Sequence, residues 1–357
     1  MLCLLSTLSA CNKNMNEEQF GDNSLFDGDV MLYSHGGKYY PFEQGNKVLS
    51  VVSSGSHLMI VGSNGDSPLL GIAEYGIESD NSVIISDTVQ MNLKETGLVG
   101  SVAIYGITTG GDGLFYVLVG ELHGERTNGI NSMSSANQQM SISILRYTAS
   151  GEFLERIEIS EWHSDIVNGI AVGSNGEVVI HGGSYISLLN LNGDIVKTIN
   201  MDRNSFVLSV SLCGESLIAS VHEITNRKTR YFLINSVSGD FSEFEEASIN
   251  DYGLVLGNWF GVQGPDTIVR AVSLNSDGFN RLGIMSITQG LGNDYIVNDG
   301  FRFFTLNLDT GIYEKLYQWN YELNDIYSLK YLSRLSENVF AHTVSNGEYL
   351  IISSISE

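Results

Sequence analysis

The stretch Ile170-Ala171-Val172-Gly173-Ser174-Asn175-Gly176-Glu177-Val178-Val179-Ile180 has two short apolar runs on either side of a turn of small residues. β-Branched residues are frequent in both runs, which is typical of strands. The Asn-Gly pair adopts the positive φ that a tight hairpin needs. The stretch therefore predicts a β-hairpin.

Two hairpin units recur along the chain. The first, two apolar runs around a small-residue turn, is found again at 51–61, 107–117, 210–219 and, more weakly, 332–341. The second has a Ser-Gly, Asn-Gly or Thr-Gly turn between two strands and is found at 144–153, 188–195, 231–241 and 303–313. Its glycines Gly151, Gly193, Gly239 and Gly311 are 42, 46 and 72 residues apart.

Two of these spacings match one four-stranded propeller blade, which takes about 40–50 residues. The third predicts an enlarged blade or two irregular ones between Ile249 and Gly290. We therefore expect an all-β chain, a β-propeller of about seven four-stranded blades over 28–357, with six or eight as alternatives. A sandwich or a β-solenoid fits this period less well. Apolar residues at every third position from Leu323 to Leu335 allow a helix at 323–337, although the repeat favours strands.

Two segments resemble known propeller families. Residues 168–180 with 189–196 resemble one blade of NHL-type and streptogramin-lyase-type propellers. Residues 294–301 with 306–311 are similar to a blade of the N-terminal propellers of Gram-positive solute-binding lipoproteins. Both resemblances imply the propeller fold, and the second implies a link to solute capture.

The N-terminal sequence resembles the end of an export signal. Leu8-Ser9-Ala10-Cys11 resembles the bacterial lipobox, in which small residues precede a lipid-modified cysteine. We expect an export-signal remnant at 1–10, lipidated Cys11 with a polar tether to residue 27, and a protein exported and lipid-anchored on the outer face of the bacterial cell membrane. The absence of Lys and Arg before Cys11 departs from the lipobox pattern. It raises the question whether Met1 is the true start, and a buried N-terminal strand or helix is the alternative for this segment.

Composition narrows the class of partner. The chain has 357 residues, 43% of them hydrophobic, and a net charge of −23. That charge excludes a nucleic-acid role, which needs clustered Lys and Arg. Lipid on Cys11 is the expected membrane contact, and the expected partner is another cell-surface protein, a peptide or a carbohydrate. Cleavage before Cys11 would leave Cys213 as the one free thiol, so no disulfide is expected.

Catalytic and metal motifs are missing from the sequence. The seven histidines never occur at zinc-ligand spacing, and no complete nucleophile elbow or phosphate-binding loop is present. The sequence thus predicts no catalytic residues, no metal and no cofactor.

The strongest binding candidates lie in and beyond a long insertion at 121–140. Its His123, Glu125 and Arg126 are suited to a polar ligand, and Trp259 is suited to stacking on a sugar. A solvated loop and a core tryptophan are the alternative interpretations. The resulting prediction is a binding or interaction module. An exported propeller enzyme, a lyase or carbohydrate-active hydrolase, is the alternative, and a spacer beside a solute-binding protein is a third hypothesis.

Overall fold

The structure of the protein is a computed structural model. It describes residues 31–355 apart from 66, 124–138, 161, 163–165, 174–175, 214–215, 224, 226–227, 236, 244–266, 277–278, 290–293, 299–301, 308–311, 320–328, 337–338 and 345–347.

The described chain is built from antiparallel sheets of consecutive strands. It begins with β1 (Met31–Tyr39). Blade 1 follows with β2 (Lys47–Ser54), β3 (His57–Asn64), β4 (Ser67–Ile77), β5 (Val83–Ile85) and β6 (Val89–Gln90). Blade 2 contains β7 (Ser101–Thr109), β8 (Phe115–His123), β9 (Gln139–Tyr147) and β10 (Phe153–Glu158). A 3₁₀ helix, Leu93–Thr96, lies between these two blades.

The next sheets repeat the same pattern. Blade 3 contains β11 (Gly169–Val172), β12 (Val178–Gly182), β13 (Tyr185–Leu189) and β14 (Ile195–Asn200). Blade 4 contains β15 (Ser205–Cys213), β16 (Ser216–Glu223), β17 (Lys228–Asn235) and β18 (Phe241–Glu243).

The remaining strands belong to one nine-stranded sheet. A meander is formed by β19 (Thr267–Ser276), β20 (Phe279–Gln289), β21 (Asp294–Asn298), β22 (Arg302–Asn307) and β23 (Ile312–Trp319). The closing blade contains β24 (Leu329–Arg334), β25 (Val339–Val344) and β26 (Leu350–Ile355), and its outer strand is β1.

The first strands of these units contact one another in a ring. In order, β2 contacts β7, β7 contacts β11, β11 contacts β15, β15 contacts β19, β19 contacts β24, and β24 contacts β2. Sheets arranged radially around such a ring define a β-propeller, so the predicted fold class is confirmed. The described first strands number six, and the expected count of about seven blades stays a prediction.

The ring is closed by the N-terminal strand. β1 pairs antiparallel with β26, with Tyr33 opposite Ile355 and Tyr39 opposite Leu350. The start of β1 also pairs in parallel with β23, where Met31 lies opposite Tyr317. The last blade is therefore completed by a strand from the other end of the described chain.

Blades 1 to 3 bury both of their faces against their neighbours. Along β2 and β3, Val52 and Met59 pack against blade 2 in one core cluster, whereas Val51 and Leu58 pack against the closing blade in another. In blade 3, Val178 and Ile180 face blade 2, and Val179 between them faces blade 4. This two-sided burial is the reason that the strand runs are almost continuously apolar.

The hairpin directions define two faces of the propeller. We call the turn face the one that carries, in blades 1 to 4, the turns between first and second strands and between third and fourth strands, together with the β24–β25 turn of the closing blade. Hydrogen bonds join these turns from blade to blade, as between Ser54 Oγ and Gly113 O at 2.6 Å and between Gly111 N and Gly173 O at 3.4 Å. The opposite, crossover face carries the connections between blades and the end of β8 at His123.

The predicted hairpins lie where the sequence places them. The first unit forms β2–β3, β7–β8, β11–β12, β15–β16 and β24–β25, and the second forms β9–β10, β13–β14, β17–β18 and β22–β23. Over the described part of 323–337, the strand interpretation is confirmed by β24. Between Ile249 and Gly290 the described strands are β19 and β20, and residues 244–266 lie outside the described residues.

Gly193 shows how tightly neighbouring blades interlock. It has a φ of +87°, and a Cβ at this position would overlap the carbonyl oxygen of Glu158 in the preceding blade. Gly176 has a similar φ of +84° in the same blade, but a Cβ there would meet nothing within 4 Å.

We expect Gly176→Ala to lower the free energy of unfolding by about 1–2 kcal/mol, the cost of a left-handed conformation in a residue with a Cβ. Gly193→Ala should cost about 1–3 kcal/mol more, because blades 2 and 3 must also move apart. Urea denaturation of both variants measures the difference. Equal losses would show that the predicted overlap carries no energy.

Candidate functional site

A buried carboxylate lies at the crossover end of blade 2. Glu121, near the end of β8, is 1% exposed. Its Oε1 accepts hydrogen bonds from the backbone N–H groups of Val99 at 2.6 Å and Gly100 at 2.7 Å. Glu121 thus fixes the chain segment that crosses from blade 1 to blade 2.

Arg156 on the outer strand β10 completes this arrangement. It donates to Oε2 of Glu121 at 3.0 Å, to Ser143 Oγ at 3.0 Å and to the carbonyl oxygen of Gly97 at 3.3 Å. We call Glu121 and Arg156, with the backbone of 97–100, the crossover clamp. Charge-assisted hydrogen bonds of this kind are stronger than neutral ones, so the clamp gives the crossover face a fixed base.

The pKa of Glu121 reflects these contacts. Burial by itself raises the pKa of the carboxyl group. The backbone N–H groups of Gly100 and Val99 and the guanidinium of Arg156 outweigh that effect, so the pKa lies below its ordinary value of 4.5. The carboxylate is consequently ionised at neutral pH.

His123 is the predicted ligand-binding residue that the structure describes. Its side chain is 45% exposed, its Nε2 lies 2.8 Å from Ser141 Oγ, and the same nitrogen lies 3.8 Å from Oε2 of Glu121. The imidazole therefore lies beside the crossover clamp, at the crossover end of β8.

The other predicted site residues fall outside the described part of the chain. Glu125, Arg126 and Trp259, and also Cys11, lie among the residues that the structure leaves undescribed. Their role in binding or lipidation stays a prediction. Trp162 is described, and it packs against the core between blades 2 and 3 while donating from Nε1 to the carbonyl oxygen of Ile166 at 3.2 Å.

Apolar side chains are exposed on the crossover face near the clamp. Val99 is 88% exposed and Leu122 is 41% exposed. Both residues lie beside Glu121. The backbone N–H of Val99 donates to the Glu121 carboxylate, and Leu122 is the next residue in β8. Further exposed apolar residues at the crossover ends of strands or in the connections are Tyr40, Leu49 and Ile166. Exposed apolar groups rimmed by polar ones are typical of interaction sites.

Sequence reasoning missed the crossover clamp. It treated Glu121 as the start of the insertion and gave Arg156 no role. A signal was present, since Glu121 is an acid directly after the apolar strand run 115–119, and an acid in such a position needs a partner. The identity of that partner, 35 residues further along the chain, depends on the pairing of three strands.

A second charged cluster lies on the turn face of blade 2. Arg146 forms ion pairs with Glu155 and, at 3.7 Å, with Asp112. Asp112 also accepts a 2.8 Å hydrogen bond from the hydroxyl of Tyr116. Burial and this hydrogen bond to Asp112 raise the pKa of Tyr116 to about 12. These groups pair with one another, which is the pattern of a structural cluster, although Nε of Arg146 is buried without a hydrogen-bond partner among the described residues.

The described residues contain no group of three or more His, Cys, Asp or Glu arranged to hold a metal ion. Within the same part of the chain, no helix is long and apolar enough to span a membrane.

Comparisons with known proteins give weak structural likenesses. No family model matches the chain, and no curated protein matches it. A protein of unknown function from Bacteroides thetaiotaomicron is similar over 93% of this chain and 73% of its own, with 10% identity and a TM-score of 0.48. BamB from Moraxella catarrhalis is similar over 90% and 100%, with 10% identity and a TM-score of 0.42. A glucose dehydrogenase is similar over 91% and 99%, with 7% identity and a TM-score of 0.43. Likenesses this remote do not bear on function.

Replacing Glu121 tests the crossover clamp. We expect Glu121→Gln to lower the free energy of unfolding at pH 7 by about 3 kcal/mol, because the largely buried Arg156 loses its counter-charge. Glu158→Gln is the matched control. Glu158 lies 3.6 Å from the same guanidinium but is 76% exposed, so its loss should cost at most about 1 kcal/mol.

The pH dependence adds an independent readout. Because the pKa of Glu121 is lowered by folding, its contribution is complete above pH 4.5 and is lost as the pH falls below that value. The difference between the wild type and Glu121→Gln in urea denaturation should therefore shrink between pH 5 and pH 3. A difference that stays constant over this range would contradict an ionised Glu121 in the clamp.

Proposed function

We propose that this chain is an exported, lipid-anchored β-propeller that acts as a binding module, with its crossover face as the binding surface. The observation that carries the proposal is the set of exposed apolar side chains beside the crossover clamp, above all Val99 at 88% exposure. A rigid base with protruding apolar groups loses little conformational entropy when it binds.

The chemistry of this face favours a protein or peptide partner over a carbohydrate. Aliphatic side chains such as Val99 and Leu122 gain from burial against other apolar groups. His123, exposed beside them, adds a hydrogen-bonding group. A partner of this kind on the same cell surface, including a solute-binding protein, fits the proposed location.

The anchoring part of the proposal is supported by the sequence Leu8-Ser9-Ala10-Cys11. Metabolic labelling with a palmitate analogue tests it. Cys11→Ser should abolish the label, and Cys213→Ser, the matched control, should keep it.

An exported propeller enzyme is the alternative function. His123, Arg156, Glu121 and Glu158 do form a cluster of a histidine, an arginine and two acids, but they lie on β8 and β10 rather than on the first strands around the ring axis. The charged residues in the sequences of the six first strands are Lys47 in β2, Arg270 in β19, and Lys330 and Arg334 in β24. None of these strands contains Asp, Glu or His, the usual general acids and bases, and this distribution favours binding over catalysis at the axis.

We expect the soluble protein beginning at Asn12 to bind saturably to cells from which its gene is deleted. Val99→Asp should weaken this binding at least tenfold, because a charge would be placed among the apolar groups. Val196→Asp is the control, since Val196 is 63% exposed on the outer strand β14 and should change binding less than twofold. Flow cytometry with fluorescently labelled protein measures both.

Pretreatment of the cells identifies the class of partner. Protease should remove the binding, whereas glycosidase should leave it. Equal weakening by Val99→Asp and Val196→Asp, or the absence of saturable binding, would overturn the proposed surface. Release of cleaved sugar from the cells would favour the enzyme.

A further inference from the structure

The described chain enters the propeller at the turn face. β26 runs from the crossover face to the turn face, because it follows β25, which itself starts at the turn that contains Leu335. Tyr75 of blade 1 donates from its hydroxyl to the carbonyl oxygens of both Leu335 and Gly55, which places these two turns side by side. Since β1 is antiparallel to β26, its first residue, Met31, lies at the same end.

Two exposed apolar side chains occupy equivalent turn tips on that face. Leu191 lies in the turn between β13 and β14 and is 63% exposed, and Val237 lies in the turn between β17 and β18 and is 71% exposed. Turn tips usually carry polar residues. The corresponding tips of blades 1 and 2, at 78–82 and 148–152, are mainly polar, so the two apolar tips distinguish the side of the turn face formed by blades 3 and 4.

These tips have a fixed geometry. In blade 3, Asn190 Oδ1 accepts from the backbone N–H groups of Asn192 at 2.9 Å and Asp194 at 3.0 Å, so Leu191 is held at the outside of the turn. In blade 4, Asn235 Oδ1 accepts from the N–H of Val237 itself at 2.9 Å and from that of Ser238 at 2.7 Å.

The two blades also hold their tips in register with each other. Lys197 on β14 donates from Nζ to the carbonyl oxygen of Val237 at 2.6 Å, across the boundary between blades 3 and 4. The tips are thus parts of one rigid edge, and they project without needing a partner to order them.

We infer that the turn face lies against the lipid bilayer, that Leu191 and Val237 contact its headgroup region, and that the crossover face points into the medium. The inference rests on the proposed lipid anchor at Cys11. Nineteen residues lie between Cys11 and Met31, and this segment reaches at most about 70 Å. The segment joins the propeller at the turn face, so contact through that face needs the shorter span from the anchor, and contact through the crossover face needs about 30 Å more, the length of a nine-residue strand such as β8.

Charge indicates which lipid surface fits. The acids Asp194 and Asp240 follow the two tips in sequence, and the whole chain carries a net charge of −23. Anionic headgroups would repel such a surface. The contact is consequently with neutral, zwitterionic lipid, through apolar side chains.

A fluorescence-quenching experiment tests the orientation. In a Cys213→Ala background, Leu191→Cys, Val237→Cys and the control Val99→Cys each receive one environment-sensitive fluorophore. Each protein is attached to phosphatidylcholine vesicles that contain a lipid with a quencher in its headgroup. The expected result is quenching at positions 191 and 237 at least threefold stronger than at position 99, which is more exposed than either but lies on the opposite face.

Two ways of attachment separate this inference from the proposed anchor. One uses the native protein purified from membranes, in which lipid on Cys11 is checked by palmitate labelling. The other uses a histidine tag placed before Asn12 and a nickel-chelating lipid. Labelled native protein with quenching at position 99, or with equal quenching at all three positions, would overturn the orientation and leave the anchor standing. Unlabelled native protein together with selective quenching at 191 and 237 in the tagged form would reject the anchor and support the orientation.

Discussion

The pairing of β1 with β26 closes the propeller and so keeps the blades at both ends of the ring buried. A propeller blade is buried on both faces only when it has a neighbour on each side, so an open ring would expose the flanks of two blades. Here the closing blade takes its outer strand from the start of the described chain, with Gly37 opposite Ile352 and Lys38 opposite Ile351. The closing blade then packs against blade 1 through a cluster that includes Val51, Leu58 and Leu350.

This closure gives the turn face and the crossover face of the propeller different roles. It fixes the chain entry at the turn face, where hydrogen bonds link the hairpin turns of successive blades. The crossover face is left with the connections between blades, and these need separate support. Glu121 and Arg156 supply it for the segment 97–100, and they do so beneath exposed apolar side chains. A face with a rigid base and exposed apolar side chains is suited to binding.

Much of the fold was predictable because local signals repeat. Every repeated hairpin except β24–β25 carries its own turn glycine, and Gly151, Gly193 and Gly239 all adopt the positive φ that the sequence implies, between 82° and 88°. The continuous apolar runs predict strands, and the structure has strands at these positions. What the runs could not reveal is that neighbouring residues such as Val178 and Val179 face different blades.

The long-range features escaped prediction for a physical reason. β1 pairs with a strand more than 300 residues away, and no turn or spacing in the sequence records that pairing. The crossover clamp joins residues of β8 and β10 that meet only after β9 has paired between them. Of the predicted binding residues the structure describes His123 alone, and it lies beside the clamp. His123 is a predicted binding residue because it lies at the start of the long insertion, and that prediction takes no account of the Glu121 carboxylate beside it.

Native-state hydrogen exchange on the full chain tests ring closure most directly. If β1 and β26 close the propeller, the amides of Leu350–Ile352, and those of Gly37–Tyr39 that point towards β26, exchange only through global unfolding, at the slow rates of the paired strands β8 and β9. Exchange of these β1 amides at the rates of a frayed terminus, while β8 and β9 stay protected, would contradict the account.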